Sequence, residues 1–453
     1  MVYISDQHGA IRVVGQRLKT NIGYSTSRMN YLYRPAGGGA WTPLSSYDDD
    51  AHTGFAPVSV DRELNAAYGF EWIDGRMAVV RLSLDGAMKP EVLAARDDVD
   101  VDRLIRIGRD HKVVGASYAV EKREALFLDP ALEGLARALS RALPGHPGVH
   151  FVDASQDGSR LLLWAGSDVD PGRYYLFDRT AKKLSEVMAD RPQLDGMKLS
   201  PVQPVSYKAA DGTMVPAYLT LPPGSDGKNL PAIVMPHGGP SARDEWGFDW
   251  LAQFFAHQGY AVLQPNYRGS SGYGQAWFQK NGFQSWKTAI GDVNDAGRWL
   301  LSQGVAEPGK LAIVGWSYGG YAALQSSVLD PELFKAVVAI APVTDLDALR
   351  EERREFMDFK IYDAFIGRGP HVQEGSPARN ADKIKAPVLL FHGDEDSNVR
   401  IGESRLMQAR LKAAGRRVEL IEFKGLDHQL DDAAARARML DQADAFLRTS
   451  LGF

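Results

Sequence analysis

The run Leu311–Gly320 constrains the fold of this chain more than any other segment. The apolar residues Leu311–Val314 are followed by Gly-x-Ser-x-Gly with Ser317 at its centre, and then by the helix-forming stretch Tyr321–Gln325. Glycines beside a serine lack Cβ atoms, so a strand and a helix can approach closely while the serine takes a strained turn that exposes its hydroxyl. Such a motif is expected by chance about 0.3 times in a chain of this composition, but its place between a buried-type strand and a helix is specific. The sequence therefore predicts that Ser317 is a nucleophile.

The second half of the chain, residues 201–453, alternates apolar runs with amphipathic helices. This alternation is typical of a doubly wound, mostly parallel sheet with helices on both faces, and the order suits an α/β-hydrolase domain. The predicted strands are Ala217–Leu221, Ala232–Met235, Ala261–Gln264, Leu311–Val314, Ala336–Ile340, Val388–Phe391 and Val418–Phe423. The predicted helices include Trp250–Gln258, Asp292–Ser302, Gly402–Ala414 and a closing helix at Asp431–Leu451.

The first half, residues 1–200, shows short alternating apolar and polar runs bounded by turn residues, as in Met77–Leu84 before Asp85-Gly86. Alternation of this kind predicts β-meanders. Similar units recur about every 45 residues, near 1–47, 52–96, 102–148 and 150–190, a period typical of propeller blades. We therefore expect an all-β, propeller-like domain of about four blades. Leucines at helical spacing in Pro130–Leu143 predict one helix inserted between strands and covering a sheet edge.

Composition excludes several classes of function. A chain of 453 residues is long enough for two domains, and its net charge of −5 offers no basic stripe for nucleic acid. It has no cysteine, which removes disulfides, thiolate metal sites and cysteine nucleophiles. No apolar segment approaches the length of a membrane span, and the first residues do not form a signal peptide. As written, the sequence predicts a soluble cytoplasmic protein; a periplasmic or secreted protein is the alternative if an N-terminal segment is missing.

A serine hydroxyl needs a base to take its proton, and the base needs an acid to orient it. In the fold expected here, both follow the serine on loops after later strands, in the order acid and then histidine. The loop after Val388–Phe391 offers three carboxylates, and Asp396 is favoured because Asp394 and Glu395 lie beside the strand end. The loop after Val418–Phe423 contains His428.

His428 is the only histidine after His392. Of the other candidates, His237 and His392 follow strands within motifs of another kind, whereas His257 lies in a helix and His371 in a polar loop. His428 is therefore the predicted base.

Acyl transfer also requires hydrogen-bond donors for the oxyanion that develops. One predicted donor is the backbone amide of Tyr318, the residue after the nucleophile. A second must come from another loop, and either His237–Pro240 or Asn266–Gly274 is suitably placed after a strand.

The chain resembles the catalytic domain of the prolyl oligopeptidase family of serine peptidases, including its acylaminoacyl and dipeptidyl peptidase types. The resemblance is carried by four motifs that occur in the order found in the family: the two loops His237–Pro240 and Asn266–Gly274, the turn Gly315–Gly320, and the later His-Gly-x-x-Asp-x-x-Val. The resemblance covers about 201–453. It implies a triad of Ser317, Asp396 and His428, with the phenol of Tyr273 as the second oxyanion donor.

The resemblance also implies a structural role for His237 in orienting its glycine loop, and an ion pair between Arg268 and Asp292 or Asp295. It further implies an N-terminal propeller that restricts entry to short peptides. Family propellers have seven or eight blades, so about four blades indicate an incomplete propeller, whose open edges would favour a homo-oligomer.

The predicted function is a serine peptidase that cleaves short peptides through an acyl-enzyme. A carboxylesterase with the same triad is the alternative, and a non-catalytic binding protein is disfavoured by the complete set of residues. No cofactor, metal, nucleic acid or membrane partner is implied, because metal-binding and phosphate-binding motifs are absent.

Two further groups bear on specificity. The segment after the strand Ala336–Ile340 is placed to line the pocket beside the cleaved bond; it runs from Ala341–Leu346 through Phe356, Phe359, Tyr362 and Phe365. Its aromatic residues predict either an apolar, proline-accepting pocket or ordinary core packing. If the chain binds the amino terminus of its substrate, three glutamates of the first half are available: Glu121, Glu124 and Glu133.

Overall fold

The computed structural model describes all 453 residues, which divide into two compact units. The N-terminal unit comprises Met1–Met197 together with the short segment Gly272–Ala276. The C-terminal unit comprises Lys198–Ser271 and Trp277–Phe453.

The N-terminal unit is built from strands that pair antiparallel with their neighbours in sequence. Its strands are β1 (Val2–Ser5), β2 (Ile11–Lys19), β3 (Ser25–Tyr33), β4 (Thr42–Asp48), β5 (Thr53–Asp61), β6 (Ala66–Ile73), β7 (Arg76–Ser83), β8 (Pro90–Ala94), β9 (Val101–Ile107), β10 (Lys112–Ala119), β11 (Arg123–Phe127), β12 (Gly148–Ala154), β13 (Arg160–Gly166), β14 (Arg173–Asp178) and β15 (Lys183–Ala189). Its helices are α1 (Pro130–Ala142) and a short 3₁₀ turn at Pro192–Leu194.

These strands form four meanders that coincide with the predicted repeat units. They are β1 to β4 and β5 to β8, which together form one eight-stranded sheet, and the separate sheets β9 to β11 and β12 to β15. The first two meanders join at a single short contact, where Tyr47 and Asp48 pair with Gly54 and Thr53. The predicted all-β, propeller-like character of this half is therefore confirmed, with three strands rather than four in its third meander.

The single α-helix of this unit occupies the predicted segment. Asp129 caps α1 by accepting a hydrogen bond from the amide of Ala131, and Pro130 occupies the first turn, where it needs no backbone donor. Leu132 and Leu139 lie on one face, and both are buried in the cluster that includes Phe151 of β12. The helix therefore covers an apolar sheet surface.

The C-terminal unit alternates strands and helices as predicted. Its strands are β16 (Val202–Lys208), β17 (Met214–Thr220), β18 (Leu230–Val234), β19 (Ala261–Pro265), β20 (Ala306–Trp316), β21 (Ala336–Ile340), β22 (Val388–Gly393) and β23 (Val418–Phe423). Its helices are α2 (Trp250–His257), α3 (Gln275–Phe278, which begins in the segment grouped with the N-terminal unit), α4 (Asn281–Gln284), α5 (Trp286–Ser302), α6 (Tyr318–Leu329), α7 (Leu346–Glu352), α8 (Phe359–Ile366), α9 (Pro370–Glu374), α10 (Gly402–Ala413), α11 (Ala433–Leu451) and a 3₁₀ segment at Pro377–Lys383.

The sheet of this unit has eight strands in the order β16-β17-β19-β18-β20-β21-β22-β23. The pairs β16/β17 and β17/β19 are antiparallel, and all later pairs are parallel. This is the expected α/β-hydrolase arrangement, with one strand that the sequence reading missed. Strand β16 was not predicted because it is an edge strand in which polar residues and a proline, Pro204, interrupt the apolar pattern.

The central strands have apolar side chains on both faces because helices cover both faces of the sheet. Ile313 and Leu390 belong to the cluster on one face, whereas Val314 and Leu389 belong to the cluster on the other. Side chains of a strand alternate between faces, so consecutive residues of a strand that is buried on both sides are apolar. The parallel strands therefore end at one edge of the sheet, where the loops with the candidate site residues begin.

Replacing Leu390 by alanine should destabilise the C-terminal unit by about 2–5 kcal/mol, because Leu390 is fully buried in a central strand and its removal leaves a cavity. Leu329→Ala is the matched control: Leu329 is 42% exposed, so the expected change is about 0.5 kcal/mol or less. Urea unfolding followed by helical ellipticity measures both. Equal midpoints for the two variants would contradict the assigned core.

Candidate active site

Ser317 occupies a tight turn between the end of β20 and the start of α6. Its backbone has φ 58° and ψ −120°, a conformation that non-glycine residues rarely adopt. The turn is fixed on both sides, since Ser317 N donates to Ile340 O at 2.8 Å and Tyr321 N donates to Ser317 O at 3.0 Å. Strain held by surrounding hydrogen bonds is a feature of functional positions.

Two glycines make this turn sterically feasible. A Cβ atom on Gly315 would lie 2.1 Å from Gly319 O, and one on Gly319 would lie 2.2 Å from Pro236 O. Both separations are shorter than any non-bonded contact allows, and the opposing atoms belong to the backbone. Glycine is therefore required where strand, helix and the neighbouring loop cross.

Asp396 and His428, the predicted acid and base, form a direct buried pair. His428 Nδ1 lies 2.6 Å from Asp396 Oδ2, and the two residues are 7% and 5% exposed. The backbone of His428 is also fixed, because Trp316 Nε1 donates to His428 O at 3.0 Å. The two competing carboxylates, Asp394 and Glu395, are exposed.

The carboxylate of Asp396 is held ionised by its hydrogen bonds. Burial alone would raise the pKa of Asp396, but hydrogen bonds from His392, His428 and the Val399 amide outweigh burial and keep that pKa well below its usual range. The second oxygen, Oδ1, accepts from the amides of Asn398 and Val399 at 2.8 and 2.9 Å. Asp396 is thus a fixed negative charge beside the imidazole of His428.

Ser317 and His428 line the same cavity, which has a volume of about 470 Å³ and lies in the C-terminal unit. No hydrogen bond joins their side chains in this structure; in a site without substrate, such bonds are often long and tighten only when substrate is bound. The apolar walls of the cavity are formed by Phe283, Val343, Leu349, Ile361, Tyr362, Phe365 and Ile366.

Two of the four predicted pocket aromatics therefore contribute to the cavity. Tyr362 and Phe365, both on α8, line it. Phe359 is buried at 4% exposure and Phe356 is 45% exposed, and neither is among the lining residues. The segment combines pocket lining and core packing, the two alternatives left open by the sequence.

The amide of Tyr318 lies at the N-terminus of α6, where backbone N–H groups have no partner within the helix. Its side chain is anchored away from the turn, since Tyr318 Oη donates to Gly282 O at 2.7 Å. The loop His237–Pro240 packs against this turn, and Gly239 lines the cavity. The amide of Tyr318 is thus available as a donor beside Ser317.

Tyr273, the second predicted donor, lies within Gly272–Ala276, which groups with the N-terminal unit. There, Asp100 N donates to Gly272 O at 3.0 Å, and Gly274 N donates to Asp100 Oδ2 at 3.2 Å. The role of Tyr273 in stabilising an oxyanion stays a prediction.

His237 and Arg268 have the structural contacts that were expected of them. His237 lies 2.7 Å through Nδ1 from Gly238 O and 2.8 Å through Nε2 from Ser270 Oγ. Burial lowers the pKa of His237 to about 4. Arg268 pairs with Asp292, through Nη2 at 2.6 Å and Nε at 2.9 Å. Both side chains therefore hold the loops that surround the turn.

The three glutamates proposed for amine binding all lie in the N-terminal unit. Glu124 accepts a hydrogen bond from Tyr118 Oη at 3.0 Å, and Glu133 forms an ion pair with Arg137 within α1. Glu121 is exposed. The contacts of Glu124 and Glu133 account for both side chains locally.

A buried glutamate that the sequence reading did not single out supports one wall of the cavity. Glu403, in the first turn of α10, is 1% exposed, and its Oε2 accepts from Thr344 N, Thr344 Oγ1 and Asp345 N at 2.6–2.8 Å. Its Oε1 is buried without a partner. Val343, the neighbour of these donors, lines the cavity. Burial raises the pKa of Glu403 to about 7, although its hydrogen bonds with Thr344 and Asp345 oppose the shift.

No group of three or more histidine, aspartate or glutamate side chains in the structure is suited to hold a metal ion. No helix is both long and apolar enough to cross a membrane.

Comparison with known proteins places this geometry in context. Residues 246–453 match the model of the prolyl oligopeptidase family. Dipeptidyl aminopeptidase BIII of Pseudoxanthomonas mexicana is 30% identical over 371 residues, which cover 78% of this chain and 53% of that relative. The acylamino-acid-releasing enzyme of Homo sapiens is 27% identical over 246 residues, which cover 52% of this chain and 34% of that enzyme. The chain thus spans about half the length of the first relative and about a third of the second.

Two solved structures share the fold. A puromycin-hydrolyzing peptidase of Mycobacterium tuberculosis superposes with a TM-score of 0.77 at 22% identity, covering 97% of this chain and 68% of that protein. The acylaminoacyl peptidase of Pyrococcus horikoshii gives a TM-score of 0.72 at 18% identity, covering 96% of this chain and 68% of that protein.

Glu403 should make stability depend on pH near neutrality. The pKa of Glu403 is about 7 in the folded state and near 4.5 in the unfolded state. Its contribution to the free energy of unfolding is therefore complete below pH 4.5 and is lost as pH rises through 7. The loss should approach about 3 kcal/mol. Glu403→Gln keeps an acceptor for Thr344 and Asp345 but does not titrate, so its unfolding free energy should fall less between pH 5 and 8. Parallel pH curves from urea unfolding of the two proteins would contradict this assignment.

Proposed function

Because residues 246–453 match the model of the prolyl oligopeptidase family, we propose that this chain is a serine peptidase of that family, which hydrolyses short peptides through an acyl-enzyme. The proposal rests on one observation: Ser317, in its strained turn, and His428 line the same cavity, and His428 is paired with the buried Asp396. Nucleophile, base and orienting acid are the parts that acyl transfer requires.

In the proposed mechanism, Ser317 Oγ attacks the scissile carbonyl while His428 Nε2 takes its proton. Asp396 accepts a hydrogen bond from His428 Nδ1, which fixes the tautomer that leaves Nε2 free to act as a base. The fixed charge of Asp396 then stabilises the imidazolium. His428 returns the proton to the leaving amine, and water hydrolyses the acyl-enzyme by the same sequence of proton transfers.

The oxyanion of each tetrahedral intermediate needs preorganised donors. The amide of Tyr318 is suited to this role, since it points from the start of α6 and has no helical partner. The phenol of Tyr273 is proposed as the second donor on the family resemblance alone.

The cavity beside Ser317 favours a substrate residue with an apolar side chain. Its walls are aliphatic and aromatic, and its volume of about 470 Å³ is large enough for a bulky side chain. Burial of such a side chain would orient the adjacent carbonyl toward Ser317. We therefore propose an apolar residue on the acyl side of the cleaved bond.

Purified wild type should release aminocoumarin from peptide amides, and Ser317→Ala should lose at least about 10³-fold in kcat/KM. Ser302→Ala is the control, since the exposed Ser302 hydroxyl only donates to Trp299 O at the end of α5. A p-nitrophenyl ester tested in parallel distinguishes ester hydrolysis from peptide hydrolysis. Turnover of the ester without any turnover of the amides would instead identify a carboxylesterase, and amide turnover that survives in Ser317→Ala would contradict the proposal.

Tyr362→Ala should reduce kcat/KM about tenfold for amides with a bulky apolar residue before the cleaved bond, because part of the cavity wall is removed. Amides with alanine there should change little. Phe356→Ala is the matched aromatic control, since Phe356 does not line the cavity. Equal losses for both substrates, or for both variants, would show that the cavity does not receive this side chain.

A further inference from the structure

A second buried histidine contacts the carboxylate of Asp396. His392 is the penultimate residue of strand β22 and is completely buried. Its Nε2 lies 3.2 Å from Asp396 Oδ2, the same oxygen that His428 approaches. From this geometry we infer that His392 is a positioning residue that fixes Asp396 and, through it, the base of the reaction. The inference rests on the proposed peptidase function.

The surroundings of His392 define its tautomer. Its Nε2 lies 2.8 Å from Val399 O as well as 3.2 Å from Asp396 Oδ2. Both neighbours are acceptors, so Nε2 carries the proton: it donates to Val399 O and places the same N–H beside Asp396 Oδ2. Its Nδ1 lies 2.7 Å from Ser404 Oγ, whose hydroxyl can donate to the unprotonated nitrogen. A neutral His392 therefore has a partner for each ring nitrogen.

With His392 included, four N–H groups surround the carboxylate of Asp396. Oδ2 accepts from His428 Nδ1 and lies 3.2 Å from His392 Nε2, and Oδ1 accepts from the amides of Asn398 and Val399. A carboxylate offers about four acceptor positions, so no rotation about its χ angles preserves the full set. The backbone amides alone leave Oδ2 held only by His428, the residue that must be oriented.

His392 also connects the acid loop to a helix. Ser404 lies in the first turn of α10 and is completely buried. The side chains therefore form a continuous chain from α10 through Ser404, His392 and Asp396 to His428. Anchoring on a helix is more rigid than anchoring within a loop, and rigid support is what a reacting constellation requires.

His392 should affect the reaction through the alignment of His428 with Ser317. A displacement of about 1 Å at a catalytic group can reduce the rate about 100-fold. Loss of the donor from His392 would let Asp396 adopt other orientations, so that the Nε2 of His428 faces Ser317 for a smaller fraction of the time. Substrate binding in the apolar cavity would not be affected directly, since His392 does not line it.

The test compares His392→Leu, which removes the donor, with His392→Gln, whose amide N–H can reach the same two oxygens. Active sites are first titrated with a fluorophosphonate, so that rates refer to correctly folded enzyme. We expect kcat per titrated site on a peptide amide to fall about 10- to 100-fold in His392→Leu, with KM within about threefold of wild type. His392→Gln should recover most of the loss.

An unchanged kcat per titrated site in His392→Leu, or an equal loss in His392→Gln, would overturn the inference and leave His392 as a packing residue. If His392→Leu does not fold, Ser404→Ala decides: it should lower kcat per site at least about threefold, and an unchanged value overturns the inference. Failure of the proposed function is distinguishable, because wild type itself would then neither titrate nor cleave the amide.

Discussion

The close crossing of β20, α6 and the loop after β18 is the constraint on which the rest of this structure depends. A Cβ atom on Gly315 or Gly319 would lie about 2 Å from a backbone oxygen of the opposing segment, so only glycine permits the close crossing that holds Ser317 in its strained conformation. The same crossing sets the amide of Tyr318 at a helix N-terminus and brings Gly239 to the cavity. Nucleophile, oxyanion donor and cavity wall are therefore consequences of one steric arrangement.

The first turn of α10 provides the corresponding support on the acid side. Ser404 contacts His392, which contacts Asp396, and the adjacent Glu403 holds the loop that contains Thr344. A single helical turn thus supports both the residue that orients the base and the segment beside Val343 of the cavity. Two buried carboxylates with opposite shifts in pKa lie close together in sequence: Asp396, stabilised as an anion by four donors, and Glu403, raised by burial.

The sequence predicted most of the fold and the candidate triad, because strand ends, glycines and polar loop residues follow local rules. It missed β16, whose mixed polar and apolar residues mark an edge strand only once its partner β17 is known. The cavity was predicted only in part: Val343, Tyr362 and Phe365 belong to the segment that was expected to line it, whereas Phe283 lies about 60 residues earlier and reaches the cavity through tertiary packing. His392 was set aside as part of another motif, because its approach to Asp396 depends on the path of the intervening loop.

The central claim is that His428, held by Asp396, activates Ser317. The most direct measurement is the second-order rate of labelling by a fluorophosphonate, with the modified residue identified by peptide mass spectrometry in wild type and in His428→Ala. We expect labelling of Ser317 alone, and a rate at least about 100-fold lower in His428→Ala. Labelling of other serines, or an equal rate in both proteins, would contradict it.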